Sequence, residues 1–68
     1  MGEKKAVLIQ LNDAEWEALE ELAKKKDLSK VAVMRQALRL YQLVDVRLSE
    51  GEKLVFEDKG NQREVLVL

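Results

Sequence analysis

Cysteine and histidine are both absent from this 68-residue chain. Their absence excludes disulfides and the common zinc and copper sites. It also removes the usual nucleophile–base pairs of catalysis. The many Asp and Glu residues fall on amphipathic faces as solvated charge, so the chain reads as a non-enzyme with no metal and no cofactor. No apolar run is long enough to span a bilayer, which excludes a membrane partner reached through a spanning helix. Met1 to Lys5 lacks the apolar core of a signal peptide, so the expected location is the cytoplasm. A surplus of one charge is missing too. Twelve basic and thirteen acidic residues leave a net charge of −1, which does not advertise nucleic-acid binding. There are no internal repeats and no low-complexity segments.

What is present fits a folded domain. The chain is 47% hydrophobic and 37% charged, which separates it from disordered sequences. A chain this short, without disulfides or metal, often needs a partner to complete its core. Charge is unevenly placed. Up to Val44 the bases slightly outnumber the acids; beyond it, six acids face four bases.

Lys4 to Leu11 (K-K-A-V-L-I-Q-L) reads as a strand. Lys5, Val7, Ile9 and Leu11 share one face, and Lys4, Ala6, Leu8 and Gln10 share the other, because side chains alternate. Only the first face ends in a clean apolar row. The strand runs without a loop into Asn12, a helix N-cap with Glu15 at the capping-box position. The first helix is expected from about Asp13 to about Lys26, with an apolar stripe of Trp16, Leu19, Leu22 and Ala23. Glu20 with Lys24 and Glu21 with Lys25 form favourable i,i+4 pairs. Trp16 is expected to seal the edge of a core. After a break at Asp27-Leu28-Ser29, with Leu28 plugging the core, Ser29 caps a second helix from about Lys30 to Val44 or slightly beyond. Its stripe is Val31, Met34, Ala37, Leu38, Tyr41 and Val44, widened by Val33, Leu40 and Leu43. That stripe is broader than one short helix can cover. Together with a lone strand, it predicts a homodimer.

The remainder is β-prone. Lys53 to Glu57 and Gln62 to Leu68 flank Asp58-Lys59-Gly60-Asn61, a hairpin signature with Gly in the turn. A hairpin alone is marginal in water, so this one is expected to pack on the body or to join another sheet, with a tetramer as one outcome. The expected division is residues 1–46 and a hairpin extension, 47–68.

The order of K-K-x-V-x-I-x-L at Lys4 to Leu11, the cap Asn12, L-x-x-L-A around Leu19 to Ala23, L-S-K at Leu28 to Lys30, and A-L-x-x-Y at Ala37 to Tyr41 resembles the ribbon-helix-helix class of DNA-binding repressors, closest to its CopG-like branch. The resemblance covers Lys4 to about Val44. It implies an α+β, mainly helical fold. Two chains would pair their strands into an intermolecular antiparallel ribbon that enters the DNA major groove. It further implies base-facing Ala6, Leu8 and Gln10. Phosphate contacts would come from Lys4, Lys5, Ser29, Lys30 and Val31, the last three because a helix start favours anions. The implied dimer core is Val7, Ile9, Leu11, Leu19, Leu22, Met34, Ala37, Leu38 and Tyr41. The partners are a second copy and double-stranded DNA, and DNA binding would make the protein nucleoid-associated.

The chain departs from this pattern in two places. Ala6 and Leu8 stand on a face where family members usually carry polar or basic side chains, leaving Gln10 as the one full amide. Asp27 stands where a Gly often ends the first helix. The apolar outward face supports an alternative: a protein-interaction module or antitoxin-like protein that keeps the fold and binds a protein partner.

Overall fold

The computed structural model describes residues 2–65 of the chain. It contains α1 (Asp13–Lys26), α2 (Lys30–Ser49), β1 (Val55–Asp58) and β2 (Asn61–Glu64). The fold is mainly helical, with one two-stranded antiparallel sheet. Contacts divide it into two units, Met1–Val33 and Met34–Leu68.

In the first unit, α1 begins where the local chemistry says it should. The Glu15 amide donates to Asn12 Oδ1 at 2.8 Å, and the Asn12 amide donates to Glu15 Oε1 at 3.0 Å. Two otherwise orphaned donors are thus satisfied reciprocally. Asp13 and Glu15 sit in the first turn and Lys24, Lys25 and Lys26 in the last, matching the helix dipole. The helix is closed by Asp27 in the left-handed conformation, φ 53 and ψ 48. The Leu28 amide then donates to the Ala23 carbonyl at 2.9 Å and the Asp27 amide to the Lys24 carbonyl at 3.3 Å. These are the two bonds of a Schellman motif.

Ser29 starts α2. Its hydroxyl accepts from the Ala32 amide at 3.0 Å, and its carbonyl accepts from the Val33 amide at 3.0 Å. Leu19 and Val33 are the buried apolar residues among those described. Leu28 is half-buried beside the break.

The segment ahead of α1 differs from its expected strand. Residues 2–12 carry no β assignment. A strand is defined by the ladder it shares with a neighbour, and a single chain offers this one no partner.

In the second unit, α2 runs to Ser49, five residues past Val44. The stop is Gly51, at φ +90. The Glu52 amide reaches the Arg47 carbonyl at 3.1 Å and the Gly51 amide the Leu48 carbonyl at 3.0 Å, a second Schellman motif. The Arg47 guanidinium pairs with the Glu52 carboxylate at 3.2 Å across this turn.

The hairpin is tighter than the sequence suggests. Asp58 and Asn61 are paired across the strands rather than lying in the turn, so only Lys59 and Gly60 turn the chain. Both have positive φ, 49 and 84, the pattern of a type I′ turn, whose twist matches that of the flanking strands. Glu57 and Gln62 are directly opposite, and the Gln62 amide donates to Glu57 Oε2 at 3.3 Å. β1 begins at Val55, not Lys53. The Val65 amide donates to the Leu54 carbonyl at 2.7 Å, one step beyond the assigned strands. Residues 66–68 of the expected second strand lie outside the described residues.

Candidate nucleic-acid interface

The residues that the resemblance assigns to DNA fall in two places of the first unit. Lys4, Lys5, Ala6, Leu8 and Gln10 belong to the segment leading into Asn12, and all are exposed. Ser29, Lys30 and Val31 form the start of α2.

The leading segment is open to solvent. Leu8, which the resemblance assigns to the bases, is 90% exposed; Val7 and Ile9, which it assigns to the dimer core, are 80% and 52% exposed, and Leu11 is half-buried next to the cap. Among the described residues, no backbone hydrogen bond involves residues 2–11. Apolar side chains and unpaired backbone groups in one stretch are the two things a neighbouring strand would satisfy.

The assigned core residues on the helices are divided. Leu19 is buried and Met34 half-buried. Leu22, Ala37, Leu38 and Tyr41 are exposed in the single chain. The periodicity marks these positions as wanting burial, and one chain does not provide it. Val33 is buried at 7%, although the sequence places it at the margin of the stripe rather than in the core.

At the start of α2 the Lys30 ammonium has partners within its own chain. Ser29 occupies the Ala32 amide, which leaves the Lys30 and Val31 amides with no acceptor among the described residues. The Lys30 side chain turns back toward α1. Its ammonium lies 3.9 Å from Glu20 Oε2 and 5.1 Å from the centroid of the Trp16 ring. Glu20 therefore serves Lys30, and among the described residues no i,i+4 pair on α1 closes within ion-pair distance. Trp16 is 47% exposed and presents a ring face to a cation rather than sealing a core edge. This cluster of Trp16, Glu20 and Lys30 was hidden in the sequence, because Glu20 already had a plausible partner in Lys24. The one signal available was that Trp16 and Glu20 are four residues apart, on one face of α1.

No helix among the described residues is long and apolar enough to cross a membrane. No curated protein and no solved structure matches the chain significantly. A family model described as "Ribbon-helix-helix protein, copG family" matches residues 5–42. Because that match spans the leading segment, all of α1 with both of its ends, and the first part of α2, the chain belongs to the copG family of ribbon-helix-helix proteins.

Proposed function

We propose that the protein is a homodimeric, sequence-specific DNA-binding regulator of transcription, a repressor, acting in the cytoplasm at the nucleoid. DNA-binding regulators and antitoxins are typical of the family. The observation that carries the reading is the state of residues 4–11: apolar on one face, unpaired along the backbone, and joined to a capped helix with no loop between. A second copy would pair with this segment antiparallel and bury Val7, Ile9 and Leu11, with Leu19, Leu22, Met34, Ala37, Leu38 and Tyr41 beneath. Residues 1–46 would form this domain and 47–68 a hairpin extension able to build a tetramer.

In that dimer, Ala6, Leu8 and Gln10 face outward into the major groove. Gln10 can read adenine by a bidentate contact, while Leu8 and Ala6 can meet thymine methyl groups. Lys4, Lys5 and the open amides of Lys30 and Val31 would meet phosphates, which position the ribbon without reading sequence. The experiment is a binding-site selection with the wild-type chain and Gln10→Ala. The variant should lose about 1–3 kcal/mol on the selected site and its preference at one A·T pair. A Gln10→Ala variant with unchanged affinity and preference would remove the base-reading role.

One observation favours a second reading. Leu8 is the most exposed of the large apolar residues described, and apolar surface of that kind also suits a protein partner, as in an antitoxin. Leu8→Lys separates the two. Under the first reading it would keep salt-dependent DNA binding while losing the preference at the A·T pair that Leu8 meets, and under the second it would abolish a protein complex.

A further inference from the structure

The start of α2 holds an arrangement that phosphate binding alone does not require. Lys30 Nζ is 3.9 Å from Glu20 Oε2 and 5.1 Å from the Trp16 ring centroid, so α1 supplies both a carboxylate and an aromatic face to one ammonium. The groups stay wet: the side chains of Lys30 and Glu20 are 42% and 52% exposed, and Trp16 is 47% exposed. Beside them lie the two first-turn amides with no acceptor among the described residues.

The two partners of Lys30 differ in what they allow. A ring face attracts a cation through its quadrupole and carries no net charge, so a phosphate can approach the other side of the ammonium without repulsion. A carboxylate occupies the ammonium's anion-binding side and repels an incoming phosphate. We propose that Glu20 is a built-in competitor for the DNA phosphate at the start of α2. It withholds Lys30 in the free protein, while Trp16 keeps the lysine seated for the exchange. This inference rests on the DNA-binding reading above and adds to it a brake on affinity. The brake is weak by design, because an ion pair this exposed changes an equilibrium constant by only a few-fold. A dimer carries it twice, so the two copies together amount to about tenfold.

The test compares Glu20→Gln with Glu17→Gln by fluorescence anisotropy on duplex DNA from upstream of the protein's own gene, across a salt series. Glu17 lies on the same helix, is exposed, and has no ion-pair partner among the described residues. Both variants remove one negative charge per chain, so the general field change cancels. Glu20→Gln should bind about tenfold tighter than Glu17→Gln at low salt and show a steeper log–log salt slope, since Lys30 becomes a further phosphate contact in each protomer. Adding Lys30→Ala to Glu20→Gln should erase the gain. Glu20→Ala should reproduce it, and thermal unfolding of every variant establishes that each is folded. Equal affinity and slope for the Glu20 and Glu17 variants would overturn the brake and leave DNA binding intact. Failure of the wild-type chain and every variant to bind at low salt would overturn the DNA-binding reading, and the brake with it.

Discussion

Asp27 and Gly51 occupy the same position at the ends of the two helices. Each has positive φ, 53 and 90, and each is followed by the pair of backbone bonds that completes a Schellman motif. The conformation suits Gly51, which has no Cβ. It costs Asp27 a steric penalty, and its carboxylate also faces the negative end of the α1 dipole.

Asp27→Gly should therefore stabilise the protein by about 1 kcal/mol per chain, which raises the thermal midpoint by several degrees. Gly51→Ala should act in the opposite direction by a similar amount, about 1 kcal/mol, since the added Cβ meets the left-handed penalty. Thermal unfolding followed by circular dichroism at one fixed concentration checks both. A destabilised Asp27→Gly would show that the aspartate side chain contributes something the backbone geometry does not reveal.

Asn12 joins the leading segment to α1 through the reciprocal bonds with Glu15. Asn12→Ala should cost about 1 kcal/mol per chain, while Asn12→Asp or Asn12→Ser should retain most of the stability. The same denaturation series reports it. Equal losses in all three variants would mean that the amide is held by something other than capping.

Ile9 and Leu8 are neighbours in the leading segment, and the proposed dimer sets them on opposite faces of its ribbon. Ile9→Lys should abolish the dimer, since a charge would enter its core, whereas Leu8→Lys should leave the mass unchanged and improve solubility. Light scattering of the two variants decides it. Loss of the dimer in both, or in neither, would show that the alternation assigned to residues 4–11 is wrong.

Among the described residues, Lys59 is the other non-glycine with positive φ. Lys59→Asn would give the Asn-Gly pair that a type I′ turn prefers, so the hairpin should become more protected from amide hydrogen exchange at Val65, whose amide bonds Leu54. Unchanged or lower protection would argue against that turn geometry.

What the sequence made legible follows the range of the forces involved. The bounds of α1 were readable because both ends are written locally, in Asn12 with Glu15 and in the lysines of the last turn. α2 continues past Val44 to Ser49 because the residue that terminates it is Gly51, in the left-handed conformation, and the apolar stripe does not reach that far. Asp58 and Asn61 look like turn residues by composition, but their pairing leaves the turn to Lys59 and Gly60 alone. The Lys30 cluster was not legible, because two charges on α1 and α2 meet only once the break at Asp27 to Ser29 has folded. The stripe on α2 named the residues that want cover. It could not say that within one chain Val33 is buried while Leu38 and Tyr41 remain exposed.

In the proposed complex two copies of this chain pair through residues 4–11 and grip duplex DNA. An equilibrium titration of DNA from upstream of the protein's own gene, repeated across a salt series, decides whether they do. Binding should saturate at two chains per site, with log affinity falling linearly with log salt at about 0.9 for each phosphate contacted. Binding that saturates at one chain per site or ignores salt, or no binding even at low salt, would contradict it.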